Sequence, residues 1–180
     1  MRQAFLCFLL LPLGAVPAAA QSPAGPPAAD PAVSTVRTLW QQFATWITTV
    51  AEELPDSSYA YRPTPEVRSF AQLFGHIAGS QYLFCAAALG EPNREEDAVE
   101  KSQTTKADLV AALKASTQYC ERAYAQSDSA ARAGTSLFGQ ERTRFFALTM
   151  NATHDGEHYG NLVTYLRLNG IVPPSSRPSS

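Results

Sequence analysis

No run of lysines or arginines occurs in this sequence, and its 14 basic residues are outnumbered by 16 acidic ones. A nucleic-acid-binding face therefore has no electrostatic footprint. Long apolar stretches are equally scarce. The one at the N-terminus, Ala4 to Leu13, falls well short of the roughly 20 residues a membrane helix needs, and no second hydrophobic segment follows. Cysteine occurs three times, too rarely for a fold built on a disulfide framework. There is no glycine-rich phosphate loop, no GxSxG nucleophile elbow and no internal repeat.

What the N-terminus does contain reads as an export signal. Arg2 supplies a positive start, Ala4 to Leu13 an apolar centre, and Ala18-Ala19-Ala20 before Gln21 a small-residue cleavage site. Cys7 lies inside the apolar centre without the surroundings of a lipid anchor. Residues 1–20 are thus expected to be removed, leaving a soluble chain, periplasmic or secreted. It would carry 13 basic against 16 acidic groups, a net charge of −3. Residues 21–32, rich in Pro and Ala, read as a flexible lead-in, and 171–180 (IVPPSSRPSS) as a tail of the same kind. Between them, residues 33–170 suffice for one core and not two. Cys85 and Cys120 remain after cleavage. Each falls in an expected helix, where a buried cysteine serves as a small hydrophobe. That favours unpaired thiols, while export leaves one bridge open.

The core segment reads as four long helices and no strand. The first opens at Asp30-Pro31, with Asp as N-cap, and carries Val33, Val36, Trp40, Phe43, Ile47, Val50 and Leu54 at steps of three and four. A proline-containing connector follows, in which Tyr59 and Tyr61, with Ile171 from the tail, are expected to close the ends of the bundle. The second helix starts at Ser69, with Gln72 completing a capping box, and stops at Gly90. Residues 91–104 read as a charged surface crossing. The third starts near Thr105, with Leu109, Leu113, Cys120 and Tyr124 on one face. Residues 127–140 form a connector, and the fourth helix runs from about Arg142 to Leu168, stopped by Asn169-Gly170. The fold class is all-α, a single-domain four-helix bundle.

Three histidines are present, and their placement matters more than their number. His154 and His158 are four apart on the last helix, which stacks their rings on one face about 5–6 Å apart at Cβ. His76 lies on the second helix beside Leu73 and Ile77, on an inward side. Three imidazoles can hold one divalent ion, and such sites commonly keep a position for water. Neutral rings are required, so binding is expected to weaken below about pH 6. The competing reading is equally concrete: a histidine pair at this spacing is common on exposed helices, and a lone inward histidine is more often hydrogen-bonded than metallated. Gly156 and Gly160 in the same helix each cost ~1 kcal/mol relative to Ala, which makes sense if a helix or ligand must come close, or as ordinary small-residue packing. HDGEH is not the zincin HExxH: Asp155 follows the first histidine, and Glu157 points about 100° away from the second. Asp155, Glu157, Asn161 and Tyr165 are the candidates for groups around the ion or lining a pocket. Asn151-Ala152-Thr153 matches a glycosylation sequon, but in mid-helix it reads as chance.

These segments also carry a family likeness. YRPTPEVRSFAQLFGHIAGSQYLFCAAALGEP from Tyr61, TKADLVAALKAS, THDGEHYGNLVTYLRLNG and the following IVPPSS make the chain resemble the DinB-like (DinB/YfiT-like) metalloenzymes over residues 33–176. The most specific feature is one histidine early on the second helix and HxxxH on the fourth, which fall on His76, His154 and His158. The resemblance implies a four-helix bundle with one divalent metal ion, often nickel or zinc, held by three imidazoles and water. Some members resemble transferases or isomerases that use low-molecular-weight thiols such as mycothiol or bacillithiol, and the family does not fix one reaction. Two readings follow. One is an exported metal-dependent enzyme, a hydrolase or thiol-dependent transferase acting on a small molecule. The other is a non-catalytic metal- or ligand-binding bundle. A third, a helical scaffold with incidental histidines, predicts no stoichiometric metal. A homodimer is compatible with each, and neither nucleic acid nor membrane is an expected partner.

Overall fold

The computed structural model describes residues 30–178, so the expected signal and most of the lead-in lie outside the described residues. Four long helices form the bundle: α1 (Pro31–Glu53), α2 (Phe70–Leu89), α4 (Lys106–Ala123) and α6 (Arg144–Leu168). Between them lie two short helices, α3 (Ala98–Ser102) and α5 (Asp128–Ala131), and a two-stranded antiparallel hairpin, β1 (Gly134–Leu137) with β2 (Gln140–Thr143). None of the described helices is long and apolar enough to cross a membrane.

The bundle is organised around α2, which is buried on almost every side from Phe70 to Ala88. It packs against α4 and α6, while α3 covers its outer face. The core has two halves. One gathers Trp40, Phe84, Tyr124 and Leu148, with Trp40 stacked on Tyr124 at 4.3 Å between ring centroids. The other gathers Ile47, Phe70, Phe74, Leu109 and Leu162. The apolar seam of α1 enters both, as its spacing requires.

The helix ends repeat the sequence signals with one exchange of partners. Ser69 and Gln72 make the reciprocal capping box of α2, and Gly90 ends that helix at φ +71°. Thr105 and Thr143 cap α4 and α6 through their hydroxyls. Asp30, however, does not cap α1. The Asp128 carboxylate accepts from the backbone N–H groups of Ala32 and Val33 at 3.0 and 2.8 Å, while Asp30 accepts from the N–H of Asp128 at 2.8 Å. Tyr59, Tyr61 and Ile171 close the lower core as expected.

Three expectations are corrected. Residues 134–143 form a hairpin where only a connector is legible, so α6 begins at Arg144 and not Arg142. Its turn holds Phe138 and Gly139, both at positive φ (52° and 71°), a geometry in which Asn-Gly is the recognisable signal and Phe-Gly is not. Cys85 and Cys120 are joined in a disulfide that ties α2 to α4, with Cα atoms 5.3 Å apart. The helix positions that favour small hydrophobes also place the two residues face to face. Finally, the tail is tied down through residue 177. The Tyr159 hydroxyl donates to Ser175 Oγ, and Arg177 forms a two-pronged ion pair with Glu53 at 2.9 and 2.6 Å.

Candidate metal centre

His76 faces α6 from the first third of α2, and His154 and His158 face back from the middle of α6. His154 Nε2 lies 3.2 Å from His76 Nε2 and 3.1 Å from His158 Nε2. The three rings are mutually tilted or edge-on, with centroids 4.3–5.0 Å apart. Each Nδ1 is buried with no hydrogen-bond partner among the described residues.

Burial dominates the protonation of this cluster. It pushes the His76 pKa down to about 4, helped by the positive charge of Arg68 and by His158, against the pull of Asp97. His154 is pushed down to about 3 by burial and then by its two neighbouring rings. His158 is lowered by burial, against the charge of Glu157. His76 and His154 therefore stay neutral well below pH 6, which moves the expected onset of proton competition to more acidic pH.

The surrounding charge comes from a segment that reads as a mere surface crossing. Residues 96–100, entering and forming α3, lie directly on α2 at two glycines one turn apart. A Cβ on Gly75 would stand 2.7 Å from the Glu100 Cα, and one on Gly79 would run into the Glu96 carbonyl oxygen. Glu100 Oε2 and Asp97 Oδ1 consequently lie 3.8 and 3.9 Å from His76 Nδ1. Arg68 holds both oxygens of Glu100 through its Nε at 3.2 and 3.1 Å. Glu96 Oε1 lies 3.8 Å from His154 Nε2 and accepts from the buried Ser80 hydroxyl at 2.9 Å. The sequence signal for this arrangement is FGHIAGS itself, in which the two glycines flank His76.

The glycines of α6 have other uses. Gly156 makes room for the ring of Phe43, whose nearest atom would be 3.0 Å from an added Cβ, and Gly160 faces open space. Of the four surrounding candidates, Glu157, Asn161 and Tyr165 line a cleft of about 580 Å³ together with His158, Arg62, Arg68 and Glu100. The Tyr165 hydroxyl donates to the Arg68 carbonyl at 2.9 Å. Asp155 does not reach that cleft. It is fully buried, neither of its oxygens has a partner among the described residues, and burial holds its carboxyl well above the usual range. Asn151 is also fully buried, with its amide donating to the Tyr124 hydroxyl, which removes the sequon from consideration.

The donor set fits a divalent cation. Protons alone leave a cluster of three converging Nε2 atoms frustrated, since each ring nitrogen either donates or accepts. An ion accepts all three lone pairs at once and places the ring protons on Nδ1, which at His76 faces two carboxylates. The carboxylates of Glu96 and Asp97 beside neutral imidazoles favour a cation, against the positive charge of Arg68.

The family model of the DinB superfamily matches residues 39–162. The chain belongs to the DinB superfamily. Solved structures agree in fold. A DinB-like protein from Bacillus cereus aligns with a TM-score of 0.67 at 14% identity, over 78% of this chain and 95% of that one. A DinB-like protein from Bacillus subtilis aligns with a TM-score of 0.63 at 21% identity, over 81% and 99%. The mycothiol-dependent maleylpyruvate isomerase aligns with a TM-score of 0.59 at 14% identity, over 74% of this chain and 65% of its own. Among curated proteins nothing matches significantly.

Proposed function

We propose that this DinB-superfamily protein is an exported metal-dependent enzyme acting on a small molecule. One divalent ion, zinc or nickel, would be held by His76, His154 and His158. The observation that carries this reading is the convergence of three Nε2 atoms, those of His76 and His158 lying 3.2 and 3.1 Å from that of the central His154. Such an ion supplies Lewis acidity and lowers the pKa of a bound water or thiol. The chain's own groups would do the rest. Glu100 and Asp97 would place negative charge behind the His76 ring, Arg68 would anchor Glu100, and the cleft bounded by His158, Asn161 and Tyr165 would receive the substrate. The disulfide supports export, since such bonds persist in oxidising compartments. That compartment favours hydrolysis over transfer from a cytosolic thiol, although the related isomerase is mycothiol-dependent.

Metal analysis of protein purified without a histidine tag tests the reading. One ion per chain is expected, and it should be lost in each of His76→Ala, His154→Ala and His158→Ala while the helical circular dichroism persists. Unchanged stoichiometry in all three variants would refute the site.

A further inference from the structure

We propose that Glu96 selects what can bind at the centre. Its carboxylate stands on the Nε2 side of the histidine cluster, where it accepts a hydrogen bond from a docking O–H or S–H group and repels groups that arrive as bare anions. This assignment rests on the reading that the three histidines hold an ion.

The three nearby carboxylates are not equivalent. Asp97 and Glu100 approach His76 at Nδ1, behind the ring, and Glu100 is further engaged by Arg68. Glu96 alone approaches a ligating face, with Oε1 3.8 Å from His154 Nε2, the nitrogen to which the other two converge. That distance exceeds a hydrogen bond to the ring. The three nitrogens form a close group that does not include Glu96. The carboxylate is placed beside the three donors, and retention of cobalt in Glu96→Gln distinguishes it from a fourth ligand.

Its position is also built in. Ser80 is one turn beyond His76 on the same face of α2, is fully buried, and donates its hydroxyl to Glu96 Oε1 at 2.9 Å. Gly79 lets the Glu96 backbone settle against the helix, because any larger residue would strike its carbonyl. Two small residues thus hold the carboxylate in place. A negative charge held beside the ligating nitrogens disfavours a second anion there and favours a neutral ligand that brings a proton to share. Water, alcohols and thiols meet that description, and aprotic anions do not.

Cobalt(II)-loaded wild type and Glu96→Gln would be titrated with azide and, as a neutral control, with imidazole, following the visible absorption of the metal. Glutamine keeps the shape and can still accept from Ser80. The expected result is one cobalt per chain in both proteins. Azide should bind at least about tenfold more tightly to the variant, with imidazole affinity changed less than about twofold. Equal azide constants in the two proteins would overturn the proposal while leaving the three-histidine reading intact. Loss of cobalt from the variant alone would also overturn it, by making Glu96 a ligand. A wild type that takes up no cobalt would remove both readings together.

Discussion

Among single side chains, the histidines and Asp155 show how burial sets charge. His76 and His154 have pKa values pushed down to about 4 and about 3, whereas histidine in an unfolded chain titrates near 6.5. Neutral rings are the ligating form, so protons should not displace the ion until the pH nears the folded values. We expect metal to be retained on dialysis down to roughly pH 5 and released near pH 4. Complete release by pH 6 would contradict these shifts. The same depression has a cost for the metal-free protein: the unfolded chain binds protons below pH 6.5 that the native rings refuse, so stability falls as pH drops from there towards 4. Asp155 works in the opposite direction. Its carboxyl is held well above the usual range, so the native state keeps a proton that the unfolded chain gives up above about pH 4. Stability is therefore lost as pH rises through that window. Asp155→Asn mimics the protonated acid and escapes the loss. In metal-free protein at pH 7 it should raise the Tm by a few degrees, with the gain vanishing as the pH approaches 4. An unchanged or lower Tm at pH 7 would show that Asp155 is charged in the fold.

The contact of α3 with α2 depends on two positions that lack a side chain. Gly79→Ala places a methyl group against the Glu96 carbonyl, and backbone cannot rotate away as a side chain can. A loss of about 1–3 kcal/mol is expected from the overpacking, together with weaker metal binding as the carboxylates shift. Gly160→Ala meets nothing within 4 Å in the interior of α6, so helix propensity alone should decide, stabilising by up to about 1 kcal/mol. Chemical denaturation of the two variants gives opposite signs if the reading is right. Both glycine pairs are visible in the sequence; Gly75 and Gly79 admit the backbone of residues 96–100, Gly156 admits the Phe43 ring of α1, and Gly160 admits nothing. Periodicity explains why the four long helices were legible and why His76 could be paired with HxxxH: apolar residues at steps of three and four fix which faces turn inward. Periodicity says nothing about which connector lies across which face. Hence Glu96 and Glu100, in a charged and irregular stretch, carry no sequence sign of nearness to a histidine. The hairpin was hidden for a related reason. Its strands are four residues each, and Phe138 holds a turn position where only Asn, Asp or Gly announces itself.

The disulfide braces α2 against one neighbour and the proposed ion would brace it against another, and the rest of the molecule determines what each is worth. The disulfide joins α2 to α4 across a separation of 35 residues, for which restriction of the unfolded chain predicts about 3–4 kcal/mol. The ion would join α2 to α6. Both halves of the core are already continuous on either side of it, from Trp40 and Tyr124 to Phe70 and Leu162, so the fold does not wait for metal. Chelation should then remove only the binding linkage, about 4 kcal/mol when free metal stands at a thousand times its Kd, and leave a cooperative unfolding transition. His76 and Cys85 are nine residues apart on one helix, about 13 Å at 1.5 Å per residue, far enough for independent effects. The losses of unfolding free energy on reduction and on chelation should therefore add within about 0.5 kcal/mol when both treatments are combined. Denaturant titrations of the four states, oxidised or reduced and loaded or stripped, measure this directly. If chelation alone abolishes the transition, the ion is a structural element and the case for an open, reactive centre falls. If the two losses fail to add, α2 transmits strain between the bridge and the histidines, and reduction of the disulfide would then alter metal affinity.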